Sequence, residues 1–435
     1  MPDLPPDLPP AVAEDPAVPS FPFTVTLGTI TAATAHRAPL VPASGADPDW
    51  TQRLDLRSRG RTSLTDGLGL TANLRLRASL ADGVAPTLGS VGHLDIQELA
   101  LDRTVTDWLT LEAGRINLRN GVATGFNPTD WFKADSLVVG DSHDTADRRE
   151  DRLGTLLIQG TAHGDALMVV AGFRPGLASD LATDDGHWLS DGDFFGQGLD
   201  RTNGHAAGYA RITPLGWDNL STTASLYYED RQPGLGLEVS GVASETLVLF
   251  AEWFGQYRYG LVDEALSDVP LAEALGGRGE RAFLHQVALG ASWSPSTDLV
   301  GARDITLTGE YHFNQAGLDG DALDAWFDAG TSGSAPPGAL WSVRGLASDR
   351  QEPLGQHQLF LRLAYTDILD DLDLTALSFV SPLDASALTQ VDLDLALGTN
   401  GTLSLSAFGA LGPDRSQFGS LPAMAGVSLS YTHVF

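Results

Sequence analysis

The sequence holds no cysteine, which excludes disulfides, thiolate metal centres and cysteine nucleophiles and leaves backbone hydrogen bonds to close the fold. Long apolar runs are missing too. The longest, such as 166–171, extend over about six residues, whereas a membrane-crossing helix needs roughly 20. No helical span is therefore expected. Positive charge is scarce: 26 basic residues stand against 56 acidic ones, for a formal net charge of −30, and Lys133 is the sole lysine. Phosphate backbones call for a basic surface, so nucleic acid is not expected as a partner. Catalytic signatures are absent as well. There is no Gly-x-Ser-x-Gly, no His-Glu-x-x-His and no glycine-rich phosphate loop, and none of the ten histidines stands at metal-ligand spacing from another. These absences point to a non-enzyme without cofactor, metal site or catalytic residues. An outer-membrane hydrolase with its dyad on a strand would leave no local motif, and stays as an alternative.

What the sequence has in abundance is alternation. Leu68, Leu70, Ala72, Leu74, Leu76, Ala78 and Leu80 point one way, and Gly69, Thr71, Asn73, Arg75, Arg77 and Ser79 the other. The pattern returns in Ile305, Leu307, Gly309, Tyr311 and Phe313 against Asp304, Thr306, Thr308, Glu310 and His312. A period of two residues marks strands with one apolar and one wet face. Strands are expected near 22–34, 51–63, 68–80, 92–103, 107–118, 152–163, 165–175, 204–214, 219–231, 233–243, 245–258, 281–295, 302–314, 354–368, 371–382, 386–398, 401–411 and 422–435. Many match the roughly 9–11 residues that cross a bilayer obliquely and exceed the roughly 5–6 of soluble strands.

Connection lengths give a second test. Every other connection is short, at 64–67, 104–106, 163–165, 215–218, 243–245, 295–301, 369–371 and 398–401, while long ones fall at 35–50, 119–151, 176–203, 259–281 and 315–353; three outer connections, near 231–233, 382–386 and 411–421, are not long and break the alternation. Short periplasmic turns and longer outer loops are the habit of membrane barrels. The expected fold is thus all-β, a transmembrane antiparallel up-and-down β-barrel of about 18 strands over residues 22–435, with long extracellular loops. The Pro-rich residues 1–21 lack the basic and apolar regions of a signal peptide, so a leader is read as already removed. They are expected to form a periplasmic extension, either a mobile tail or a docking strip.

The last expected strand alternates Val427, Leu429, Tyr431, His433 and Phe435 with Ser428, Ser430, Thr432 and Val434. In this it resembles bacterial outer-membrane barrel proteins, whose terminal aromatic is read by the barrel-assembly machinery; His433 departs from the usual apolar choice. The resemblance implies that machinery as a partner during biogenesis, with Phe435 as the assembly signal. A second resemblance begins at Gly114-Arg115 and continues through Gly121 to Asn127-Pro128-Thr129-Asp130-Trp131-Phe132. It is similar to a motif of porin-like outer-membrane proteins of Gram-negative bacteria, in which a Gly-Arg strand leads into a loop bearing Asn-Pro-x-Asp-x-Phe. Those proteins often have Trp-Gly before the loop, where this chain has Asn120-Gly121. Residues Asn127, Pro128, Asp130, Trp131 and Phe132 are open to two readings, a folded anchor on the wall or a solute contact.

Inward positions carry charge. With Leu54 and Leu56 facing lipid, Arg53, Asp55, Arg57, Arg59 and Arg61 turn inward, and the hairpin partner adds Arg75 and Arg77. Against lipid near the midplane each arginine would cost roughly 2–4 kcal/mol, so an aqueous lumen is the environment that tolerates this ladder. Glu229, Glu252, Asp304, Glu310, Asp373, Asp392 and Asp394 fall on the inward register of later strands, and closure is expected to bring Asp392 and Asp394 toward the ladder. Either the arginines form salt-bridge networks in the wall, or opposed walls create a transverse field that sets selectivity. In both cases Arg53, Arg57, Arg59, Arg61, Arg75, Arg77, Glu252, Glu310, Asp392 and Asp394 are candidate pore-lining residues. Acidic patches at Asp180, Asp184, Asp185, Asp191 and Asp193 and at Asp319, Asp321 and Asp324 read as solvated loops, with calcium binding as the alternative. His187, Trp188, Phe194 and Phe195 either narrow the pore or form a cluster within their loop.

The expected function is a porin-like channel in a bacterial outer membrane, surrounded by its lipid and passing small polar solutes by diffusion, with a bias toward anions or zwitterions. A plugged barrel serving as a structural or assembly partner is the rival from another class.

Overall fold

The computed structural model describes residues 22–43, 48–84, 91–138, 140, 142–177, 195–295 and 304–435. The Pro-rich extension 1–21 lies outside the described residues, as do the aspartates of the 180–193 patch and His187, Trp188 and Phe194.

Eighteen strands form one closed sheet. They are β1 (Phe23–His36), β2 (Trp50–Thr65), β3 (Leu68–Ala81), β4 (Gly92–Thr106), β5 (Leu109–Ile116) and β6 (Thr155–His163). Next come β7 (Leu167–Arg174), β8 (Ala207–Pro214), β9 (Leu220–Glu229), β10 (Gln232–Ser244), β11 (Leu247–Arg258) and β12 (Ala282–Trp293). The circuit ends with β13 (Asp304–Asn314), β14 (His357–Leu369), β15 (Leu372–Ser381), β16 (Ser386–Leu397), β17 (Gly401–Leu411) and β18 (Ala423–Val434). Each strand pairs antiparallel with its sequence neighbours, and β1 pairs with both β2 and β18, so no edge remains. All the strands expected from alternation are present, with ends shifted by a few residues where loop segments such as 117–118 and 152–154 leave the wall.

Burial is inverted relative to a soluble protein. Leu54 and Leu56 on β2 are 50% and 43% exposed on the outer face, while the inward Asn73, Gln97, His312 and Gln390 are buried. Trp108 and Trp217 are exposed at tight turns, where amphipathic rings suit a membrane–water boundary. The start of β1 and the end of β18 share an end of the barrel with the connections 66–67, 107–108, 245–246 and 370–371. The longer connections gather at the other end.

Among the described residues those connections hold helices that alternation did not announce: α1 (Thr145–Glu150), α2 (Leu199–Thr202), α3 (Leu261–Ala265), α4 (Val269–Ala274), α5 (Gly320–Ser332) and α6 (Pro337–Asp349). Their ends are built from ordinary capping chemistry. Asp319 accepts from the Ala322 N–H at the start of α5, and Gly333 adopts the left-handed conformation after it. The Asp319–Asp324 patch is thus the first turn of a helix instead of an irregular loop. Helices α3–α6 and Val41 assemble a second apolar core around Trp326, Phe327, Leu340 and Val343, all essentially inaccessible. Each such side chain contributes about 1.5–3 kcal/mol by burial. This cap is tied down by buried Arg344, whose guanidinium lies 4.5 Å over the Trp326 ring and donates to Gln417 O and Ser420 Oγ, each at 2.8 Å.

Candidate functional site: a loop that divides the lumen

Residues 117–154 connect β5 to β6 and fold into the barrel. Just before this connection, still within β5, Gly114 has φ +139°, and a Cβ there would meet the Leu99 carbonyl and the Ala100 Cα. Arg115 then clamps two loops, donating to Gly154 O at 2.8 Å and Gln197 O at 2.7 Å. The glycine and arginine of the sequence motif therefore have local structural duties.

Two inward carboxylates hold the returning loop. Glu252 on β11 accepts from the backbone N–H groups of Val122, Ala123 (2.5 Å) and Thr129 (3.4 Å) and from Thr129 Oγ1 at 3.0 Å. Glu310 on β13 accepts from Thr124 N at 2.6 Å and Gly125 N at 2.9 Å, with His312 Nε2 2.7 Å away. Gly121, at φ +89°, has no room for a Cβ against the Glu252 carboxylate. This corrects their expected place on the water-filled surface: Glu252 and Glu310 lie on the inward face but are 1% and 4% exposed, because the loop covers them.

The loop motif builds the loop's own scaffold. Asn127 donates to Ala123 O, and Lys133 Nζ donates to Asn127 O at 2.7 Å while lying 4.3 Å over the Phe126 ring. Asp130 pairs with Arg152 at 2.6 Å, and Pro128 is buried beside them. A single 3-10 turn over Trp131–Lys133 stacks Trp131 on Tyr227 at 4.8 Å and sets Phe132 edge-on to Tyr209 at 5.6 Å. The aromatic residues thus dock the loop on β8 and β9.

Farther on, Asp144 caps α1 through Ala146 N at 2.8 Å and pairs with Arg362 on β14 at 3.1 Å. His143 N donates to Gln390 on β16 at 2.7 Å. The helix carries two kinds of charge. Glu150 pairs with Arg59 and, at 2.7 Å, with Arg119, and Asp151 takes Arg57 at 2.6 Å and Arg75 at 2.7 Å. Arg148 and Arg152 line a different cavity.

The arginine ladder is therefore paired. Besides the loop carboxylates, Asp55 takes Arg53 at 2.7 Å and Arg75 at 2.9 Å, Asp95 takes Arg77 at 2.6 Å and Asp102 takes Arg61 at 2.7 Å. The expectation that Asp392 and Asp394 would face the ladder is corrected. Asp392 accepts instead from Gln390 at 2.9 Å, because residues 142–151 stand in the lumen between β16 and the arginines. Glu229 is engaged by Arg174, and Asp373 accepts from Asp367 N at 2.8 Å.

Three cavities flank the loop. One of about 640 Å³ lies between the ladder and the hydroxyl-bearing face of β1 and β18, and another of about 620 Å³ is lined by Arg174, Arg258, Tyr227 and Glu352. The third, about 210 Å³, lies between the loop and the cap, where Arg148, Arg344, Lys133 and His143 meet Phe126, Phe379 and Phe418. Burial lowers the pKa values of its cations: Arg148, near Arg152, and Arg344 come down to about 10, Lys133 to about 8 and His143 to about 4. Among the described residues neither Arg148 nor Arg344 has a carboxylate at ion-pairing distance, and no three His, Asp or Glu side chains gather to hold a metal ion. Asp95, Asp144, Glu150, Asp151, Arg148 and Arg344 were not singled out from sequence. The signal for most of them was there, in the charge-dense run Asp-Thr-Ala-Asp-Arg-Arg-Glu-Asp-Arg at 144–152 within an otherwise long connection.

No protein-family model matches this sequence, and no curated protein sequence matches it. Solved structures do resemble it in shape. Pseudomonas aeruginosa OpdK with vanillate is 10% identical, with 95% of this chain and 98% of that chain covered and a TM-score of 0.53. OccK2 (OpdF) of the same organism, in complex with glucuronate, is 11% identical, with 95% and 97% covered and a TM-score of 0.52. OccK11 (OpdR), also from Pseudomonas aeruginosa, is 10% identical, with 95% and 96% covered and a TM-score of 0.51. At such identities the likeness is one of architecture, and it establishes that this chain has the fold of outer-membrane β-barrel proteins.

Proposed function

We propose that the protein resides in a bacterial outer membrane and passes small polar solutes by passive diffusion through a lumen narrowed by residues 117–154. The observation that carries this reading is the closed eighteen-stranded wall, apolar outside and lined inside by ion pairs and cavities of hundreds of cubic ångströms. Barrels of about 16–18 strands are wide enough for an aqueous channel, unlike those of about eight. Arg148 and Arg344 beside the 210 Å³ cavity supply an attraction for anions. Vanillate and glucuronate, named with two of the similar structures, are both small carboxylates, which supports an anionic solute here as well. For biogenesis, the exposed Phe435 ring at the barrel's end supports recognition by the assembly machinery.

Reconstitution in planar bilayers tests the channel. Discrete KCl conductance steps are expected, with a reversal potential in a salt gradient displaced toward chloride. Absence of conductance from protein that migrates as folded would overturn the reading. It would favour the plugged barrel, for which the cap's separate apolar core around Trp326 and Leu340 is the supporting feature.

A further inference from the structure

We propose that the 640 Å³ cavity beside the arginine ladder is a binding station for small zwitterions, amino acids and dipeptides, with the solute's ammonium at Asp147 and its carboxylate at Arg57 and Arg59. The inference rests on the channel reading and names a solute class for this part of the lumen.

The cavity's charges balance. Arg53, Arg57, Arg59 and Arg75 line it together with Asp55, Asp147, Glu150 and Asp151, each arginine in contact with Asp55, Glu150 or Asp151 and Asp147 left over. A simple anion drawn to the guanidiniums meets the carboxylates of α1 and its C-terminal end, and a simple cation meets the converse. A molecule with both charges gains from both rows. The ion pairs leave capacity for it. A guanidinium has five N–H donors, and the Arg59 side chain, 55% exposed, spends its one bond on Glu150. Among the described residues Asp147 has no cationic partner.

Spacing fits as well. Asp147 and Glu150 are three residues apart on α1, which places them as neighbours on one helical face, with Cβ atoms about 5–6 Å apart. The guanidinium on Glu150 therefore stands about one turn from Asp147, a separation that the two charged ends of a dipeptide can span. Opposite, the hydroxyls of Thr24, Thr26, Ser430 and Thr432 offer donors and acceptors without charge. Burial first, and then the carboxylates of Asp144, Asp392 and Asp151, push the Asp147 carboxyl up to about 6, while the Ser142 hydroxyl opposes this. Arg57 and Arg75 face the same cavity from β2 and β3. An arriving ammonium favours the ionised carboxylate, so binding strengthens as pH rises through that value.

The test is initial uptake by proteoliposomes of four solutes of similar size: alanine, lactate, isopropylamine and propane-1,2-diol. Alanine entry is expected to be saturable and faster than that of either ion, and to rise between about pH 5 and pH 7. Asp147→Asn should lower alanine uptake about tenfold, the equivalent of one lost charge-assisted contact, and leave the diol unchanged. Alanine entering no faster than lactate, or Asp147→Asn slowing all four solutes alike, overturns the site while KCl conductance persists. Loss of KCl conductance in wild-type protein removes the channel reading and the site with it.

Discussion

Replacing Glu252 by glutamine should unfasten residues 121–129 from the wall without unfolding the barrel. The carboxylate now accepts from three backbone N–H groups, one hydroxyl and the Asn127 side-chain amide, and it is 1% exposed, so salt does not screen it appreciably. Hydrogen bonds to a charged group contribute about 1.5–3 kcal/mol each, and a buried N–H left facing an amide NH₂ costs about 1–3 kcal/mol. Relief from desolvating the carboxylate works in the opposite direction. With one oxygen still accepting, the net loss is about 3 kcal/mol, which multiplies the detached population of this segment about a hundredfold. Glu310, Asp151 and the Trp131–Phe132 dock continue to hold their own stretches of the loop. In planar bilayers the expected signature is added flicker between conductance levels and a higher mean conductance, strengthened in a Glu252→Gln/Glu310→Gln double variant. Records indistinguishable from wild type, from protein shown to be folded by its heat-modifiable gel mobility, would refute the reasoning.

Replacing Arg57, Arg59, Arg75 and Arg77 together by glutamine leaves Asp95 and Asp151 without a guanidinium and Asp55 and Glu150 with one each, from Arg53 and Arg119, so the reversal potential in a salt gradient should move toward cations; no movement would mean that ions pass elsewhere. Deleting Phe435 should lower the yield of folded protein in cell membranes yet permit refolding in detergent, since its ring is 70% exposed and contributes little packing; equal yields in cells would count against an assembly signal. Burial pushes the Glu352 carboxyl up, but Arg258 beside it, with Arg350 and Lys133, holds it down at about 2 against an ordinary 4.5. A depressed carboxyl stabilises the fold fully above the unfolded value and loses that contribution as pH falls through the folded one. Tryptophan emission from the cap should therefore report an attached cap at pH 5, weakening between about 4.5 and 2, and Glu352→Gln should remove that acid-dependent step.

Much of the architecture was legible in the sequence because strand alternation is a local property. Leu54 and Leu56 face out and Arg53 and Arg57 face in through the pleat of β2 alone, and the short turn at 66–67 fixes where that strand meets β3. Repeating such local facts around the chain determines strand number, the ends of most strands and the side of the wall on which every charge lies. The helices of the cap escaped notice for the converse reason. Their caps at Asp268, Asp319 and Gly333 are visible in sequence, but periodicity over short segments such as Val269–Ala274 is weak beside eighteen alternating strands.

The fate of each inward charge was decided only in three dimensions. Arg57 and Glu252 look alike in sequence, each a charge on the inward register near the middle of a long strand. Arg57 borders a 640 Å³ cavity, whereas Glu252 is sealed beneath backbone amides that lie 130 residues away in sequence at Val122. Likewise the partners that reach the ladder from beyond its neighbouring strands are Glu150 and Asp151, on a segment that leaves the wall after β5 and crosses the lumen, and not Asp392 and Asp394 on β16. Register assigns a side chain to a face, but whether water, a loop or a counter-charge meets it there depends on how a long connection folds back, and no periodicity in the strands encodes that path.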